Sequence, residues 1–221
     1  VYKNTVYGTC YYDKSCNLND LNNVPSGKEF VHWSLNNNAL GDVVYNLSSV
    51  NNDKLDIEPV FNNITYNVIY KYNGGEAVNT AKYNVDTESI LLNDPVKTGY
   101  DFSGWSIETD GSLATVSKID NNYTLNLNGS IGDIVLVASY NAKSYNVSYD
   151  LNGGTANDIS GHSCTYESCN ITNVVPTKDK YDFAGWINPG TGYVYDSGST
   201  IRIDSTNDIQ LVAKWSNKDS Y

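Results

Sequence analysis

Alternation is the clearest signal along the chain. Tyr145, Val147, Tyr149 and Leu151 alternate with Asn146, Ser148, Asp150 and Asn152. A strict period of two predicts a half-buried strand with one apolar face. Gly153–Gly154 ends it, because a positive φ is cheap only for glycine. A second such strand is predicted where Ile209, Leu211, Ala213 and Trp215 alternate with Gln210, Val212 and Lys214. A convincing helical period is missing from every window of about 11 residues. At most a short helical turn is expected between the Gly-Gly pair and the proline that follows. The predicted fold class is mainly β, grading into α+β.

The same order of elements occurs more than once. YNVIYKYNGG from Tyr66 matches YNVSYDLNGG from Tyr145, 79 residues later. Each copy runs to a proline (Pro95, Pro176), then to YDFSGW (Tyr100–Trp105) or YDFAGW (Tyr181–Trp186). Each then closes on an apolar strand, IVLVASY (Ile134–Tyr140) or IQLVAKW (Ile209–Trp215). A third, eroded copy occupies the N-terminus. There VPSGKEFVHW places Phe30 and Trp33 where Phe102 and Trp105 sit, and LDIEPVF (Leu55–Phe61) takes the closing-strand position. This copy lacks the YNVxYxxNGG opening and has His32 before its tryptophan instead of glycine. The organisation predicted is three tandem modules: a degenerate one over residues 1–63, full ones over 64–142 and 143–217, and a tail or linker over 218–221.

Two roles compete for YDFxGW. Trp105 and Trp186 could be stacking platforms for a sugar ring, or Phe183 and Trp186 could be core residues with Gly185 letting the backbone approach. A module of about 75 residues has little core, and one buried aromatic contributes roughly 1.5–3 kcal/mol. Recurrence in every copy favours the core, since a repeated fold must repeat its core.

Taken in order, YNVSYDLNGG, PTKDKYDFAGW and IQLVAKW resemble the Listeria–Bacteroides repeat, the B-repeat of internalin B and its relatives. The resemblance covers Tyr66–Tyr140 and Tyr145–Trp215 well and the first 61 residues loosely. It implies small β-grasp-like modules used in tandem in surface or secreted proteins, mostly of Gram-positive bacteria. It offers no catalytic residues to carry over, and no cofactor is expected. The cysteine pairs lie outside the family pattern.

Those cysteines fall in two close pairs, Cys10–Cys16 and Cys164–Cys169. In the middle copy the corresponding places hold Tyr83 and Glu88. The short spacers suit disulfides that close hairpin loops, and an even count in near pairs points to an oxidising, extracellular compartment. A metal reading would use His162, Cys164 and Cys169, but zinc wants four ligands and the spacing offers no fourth. Only His32 and His162 could serve a nucleophile as base, and neither sits in a nucleophile motif.

The formal charge is −11, from 25 acidic against 14 basic residues. That argues against nucleic acid or an anionic membrane as partner, since both are gripped through Lys and Arg. No apolar run approaches a membrane span, so direct insertion is not expected. The chain begins at Val1 without a secretory pattern, which reads as a fragment of a larger protein whose other domains are its neighbours.

The function expected is a non-catalytic, monomeric repeat region, a spacer or stalk in a secreted, cell-surface or cell-wall-associated protein. The four-residue connector Asn141–Ser144 is short enough to favour stacked modules. The alternative is an adhesive or accessory binding module for glycan or host protein. Tyr193/Tyr195 and Tyr11/Tyr12 would then be the contacts, tyrosine giving large area at low entropy cost.

Overall fold

The structure is a computed structural model that describes residues 15–16, 23–35, 38–40, 45–46, 57–202 and 207–218. Among them every regular element is a strand. The helical turn expected after the Gly-Gly pair is replaced by extended chain, so the α part of the predicted class is not found there. Residues 75–95 hold few apolar positions at helical spacing, and their backbone groups find partners across strands instead.

The third repeat shows the plan most fully. Its opening strand β13 (Ser144–Asp150) pairs antiparallel with β14 (His162–Thr165) and parallel with the closing strand β19 (Ile209–Asn217). On the far side of β19 lies β16 (Tyr181–Ile187), and then β17 (Val194–Tyr195), giving the order β14-β13-β19-β16-β17. A two-stranded ladder of β15 (Cys169–Asn170) and β18 (Thr200–Ile201) forms a second sheet. The predicted alternation is observed: Tyr145 and Val147 are buried on β13, Leu211 and Ala213 on β19, and the residues between them point outward or are half-buried. Together with Cys164, Cys169, Ile171 and Trp186 these residues make one core cluster.

The second repeat repeats the order with one strand fewer. Here β7 (Lys82–Tyr83), β6 (Tyr66–Lys71), β12 (Ile134–Ala142) and β9 (Tyr100–Ile107) lie side by side, with β6 and β12 parallel. Its second sheet is larger. A hairpin of β10 (Thr115–Ile119) and β11 (Asn122–Asn126) joins β8 (Ser89–Leu92), and Ile90, Leu92, Tyr123 and Leu125 point inward from it.

The first repeat keeps only the second half of the plan. Strand β2 (Lys28–Leu35) lies between β3 (Asn38–Leu40) and β5 (Ile57–Asn63), both antiparallel to it. Phe30 faces Phe61 across the ladder as Phe183 faces Trp215 in the third repeat. β5 thus lies beside β2 as β19 lies beside β16. A separate two-residue ladder joins β1 (Ser15–Cys16) to β4 (Tyr45–Asn46).

By compactness the chain divides into two units. One comprises Val1–Lys71, Val78–Asn93 and Trp105–Val137, and the other Tyr72–Ala77, Asp94–Gly104 and Ala138–Tyr221. The first unit thus joins the first repeat to most of the second repeat's core. The second joins the third repeat to the remaining turns of the second.

Candidate functional site

The YDFxGW strands decide between platform and core. Trp186 is fully buried, and Trp105 and Trp33 retain only 7% and 8% of their exposure. Around Trp186, Phe183 packs edge-on at 5.2 Å and Tyr149 at 4.8 Å. The indole N–H donates to Ser197 Oγ at 3.2 Å. A ring so enclosed offers no face to a sugar. The motif is the core signature of each repeat, and Gly185 stands at φ 111° in the bulge between Phe183 and Trp186.

The other repeated residues tie opening strand to closing strand. Asn73 and Asn152 both adopt φ 49°, which Asn tolerates better than most residues. Their amide groups donate to Ala138 O (2.8 Å) and Ala213 O (3.1 Å) on the closing strands. Tyr140 Oη and Trp215 Nε1 answer by donating to Tyr72 O and Leu151 O. The second glycine of each pair, Gly75 or Gly154, is pressed against that same Tyr140 or Trp215 ring, leaving no room for a Cβ.

An acid before each closing strand completes this frame. Asp133 accepts from the Asn67 backbone N–H at 2.7 Å, and Asp208 accepts from Asn146 N–H at 2.7 Å. Each also accepts from the same asparagine's side-chain amide. The backbone hydrogen bond and then the side-chain one hold both carboxyls below the ordinary carboxylate range. A carboxylate with a depressed pKa stabilises the fold above the unfolded-state value and loses that contribution as pH falls through the folded value. The midpoint of thermal unfolding is therefore expected to drop below about pH 4, and to drop less in the Asp133→Asn/Asp208→Asn chain. Equal acid sensitivity of the two chains would remove the clamp from the account.

Cys164 and Cys169 are joined, with S–S 2.06 Å and Cα–Cα 4.9 Å. The bridge ties β14 to β15 and so the large sheet to the small one. Closing so short a loop contributes about 2 kcal/mol by restricting the unfolded chain. In the second repeat the place of Cys164 is taken by buried Tyr83, whose hydroxyl donates to Gly132 O. Register agrees, since Tyr66 faces Tyr83 as Tyr145 faces Cys164. His162 Nε2 lies 4.0 Å from Cys169 Sγ, but sulfurs bonded to one another present no thiolate to a metal.

The proposed contact tyrosines are divided. Tyr193 is 68% exposed in the turn between β16 and β17, while Tyr195 is half-buried against the core. Cys10, Tyr11, Tyr12 and the Cys16 side chain lie outside the described residues.

Sequence reading did not anticipate the junctions between repeats. In the first unit, Ile64 N–H donates to Gly27 O at 2.9 Å, and Lys28 lies 3.8 Å from Asp86 in the second repeat. In the second unit, Lys143 N–H donates to Gly99 O at 2.9 Å and Tyr166 N–H to Lys143 O at 2.8 Å. Tyr100 packs edge-on to Tyr166 at 5.5 Å and donates its hydroxyl to Glu167, which raises the Tyr100 pKa. Lys143 pairs with Asp101 at 3.6 Å. Nothing in a single strand's pattern announces such contacts, because each depends on two repeats at once.

Comparison with known proteins agrees with this frame. The sequence profile of the Listeria-Bacteroides repeat domain matches residues 66–138 and again 145–214. Internalin H of Listeria monocytogenes is 29% identical over 126 residues, 57% of this chain and 21% of that protein. A protein described as a Gly-rich membrane protein of Evansella cellulosilytica is 32% identical over 127 residues, 54% of this chain and 14% of that protein. The matched stretch thus makes up only about a fifth or less of these relatives. The twofold match falls on the two repeats whose sheets share one strand order, and the chain belongs to the Listeria–Bacteroides repeat domain family.

Proposed function

We propose that the chain is a non-catalytic spacer or stalk region of a bacterial surface or secreted protein, whose repeats meet near residues 63 and 142. The observation that carries this reading is the pair of junctions. Each joins neighbouring repeats through a side chain seated on a glycine and a polar pair beside it, Lys28 with Asp86 at the first and Tyr100 with Glu167 at the second, across a connector of a few residues. A short connector with packed side chains across it limits bending, which is what a spacer requires. The small share of each relative that the match covers, and the names internalin and membrane protein, support a surface setting with further domains attached. Small-angle scattering on the oxidised chain tests the reading. One narrow distribution of interatomic distances is expected, and a broad distribution typical of freely jointed modules would sink it.

The adhesive reading keeps one specific support, the exposed Tyr193 ring. A screen against glycans and host surface proteins separates the two. Saturable binding that Tyr193→Ala abolishes, with circular dichroism unchanged, makes the module adhesive, while silence on both panels leaves the spacer.

A further inference from the structure

The two junctions use the same positions. Gly27 and Gly99 each stand three residues before the phenylalanine of the core motif, at φ 73° and φ 80°. Each accepts, on its carbonyl, the N–H of the residue three places after the closing aromatic: Ile64 follows Phe61, and Lys143 follows Tyr140. Each glycine is buried under a side chain of the following repeat. A Cβ at Gly27 would run into Val85, and one at Gly99 into the Tyr166 ring. Val85 and Tyr166 are themselves equivalent, each two residues beyond the strand position held by Tyr83 or Cys164.

The flanking contact is repeated as well. The residue after the glycine, Lys28 or Tyr100, reaches the acid after the docked side chain, Asp86 or Glu167. Arg202 lies over the outer part of the Tyr166 arrangement, its guanidinium carbon 5.4 Å from the ring centroid. Thus each joint has a floor without a side chain, a docked residue, and a polar pair at its rim.

The third repeat builds the same backbone turn, with a lysine in place of the glycine. Lys218, three places after Trp215, donates its N–H to Lys180 O at 3.0 Å. Lys180 stands three residues before Phe183 at φ 64°, so the backbone is that of Gly27 and Gly99. Tyr181, 38% exposed, occupies the place of Tyr100. Only the floor differs, because Lys180 carries a side chain, exposed here, where Gly27 and Gly99 carry none. A non-glycine residue at positive φ is uncommon and costs conformational energy. Its presence at this one member of an equivalent set marks a position where the absence of a Cβ is not required.

We propose that this left-handed position is the receptor for repeat-to-repeat docking. The partner it accepts is a following copy of the same fold, which presents a side chain at the place of Tyr166 and an acid next to it. Lys180 closes the third receptor to such a copy. The inference concerns which neighbours a repeat accepts, and holds whether the array spaces or binds.

Trypsin reads both halves of the proposal, since Lys143 and Lys218 lie at equivalent places in the connectors. In the full chain, Gly99→Ala is expected to speed cleavage after Lys143 about tenfold, the change that a joint weakened by 1.4 kcal/mol produces. The positive φ alone does not prevent folding, since Lys180 adopts it. An unchanged rate in the folded variant overturns the proposal. The second half uses the chain extended after Asp219 by another copy of residues 145–217, which reproduces the spacing from Lys143 to Tyr145. Lys180→Gly is expected to slow cleavage after Lys218 about tenfold in that chain. Equal rates with Lys180 and with glycine overturn the proposal, and this arm stands even if Gly99→Ala fails to fold.

Discussion

Trp186→Ala is expected to lower the stability of the third repeat by about 3–5 kcal/mol, the range for truncating a large buried aromatic. Trp186 is fully buried, and its indole is the largest fully buried side chain among the described residues. Truncation removes three kinds of support together. The ring loses its edge-on contacts with Phe183 and Tyr149, each worth about 0.5–1.5 kcal/mol beyond area burial. The cavity left among Val147, Leu211 and Ala213 cannot collapse readily, because those residues sit on hydrogen-bonded strands of the same sheet as Trp186. Ser197 Oγ loses a donor while still donating to Val174 O, so the link to the strand-free segment beyond Ile171 weakens. A repeat of this size has only a few kcal/mol to spare. Urea denaturation followed by far-UV circular dichroism should show a separate early transition for the third repeat. A loss under about 1 kcal/mol would mean that the indole is not the centre of this core.

Much of the fold was legible because its signals are local. The alternation in Tyr145–Leu151 and Ile209–Trp215 fixes which faces are buried, and the structure buries Tyr145, Val147, Leu211 and Ala213 accordingly. The pairing before residue 64 was legible for the same reason, since Phe30, Trp33 and Phe61 meet across β2 and β5. What was not legible depends on residues distant in sequence. The Asn67–Asp133 and Asn146–Asp208 clamps each span more than 60 residues, and an acid among 25 carries no mark of its partner. The hairpin of β10 and β11 falls between the core motif and the closing strand, where the described residues of the third repeat hold the two-residue strands β17 and β18. The docking glycines look like ordinary turn residues until the following repeat is placed upon them. Tyrosine posed the reverse difficulty. Tyr193 and Tyr195 are two residues apart and chemically identical, yet only the former is freely exposed, because Tyr195 pairs with Trp186 across β16 and β17.

The glycine of the core motif carries the second large effect. Gly185→Ala is expected to destabilise the third repeat by about 2–4 kcal/mol, summing the cost of an L-residue at a sparsely populated φ with that of a steric clash. Gly185 adopts φ 111° at the bulge where Phe183 pairs with Trp215 but Trp186 with Ala213. A Cβ there would lie 2.7 Å from Val194 Cγ1 and 2.9 Å from Tyr195 O, so both β17 and the bulge would have to shift. The first repeat shows that the bulge itself does not demand glycine. His32 takes the corresponding place without a positive φ, because the register there shifts one position earlier, between Phe30 and His32. The extra residue is then Val31, which is exposed. His32→Ala is accordingly expected to cost less than about 1 kcal/mol, as at other half-buried sites without a special backbone. Chemical denaturation of the two variants checks the contrast. Similar losses in both would show that the motif glycine serves sequence spacing alone, whereas a large loss confined to Gly185→Ala ties it to the close approach of β17 over Trp186.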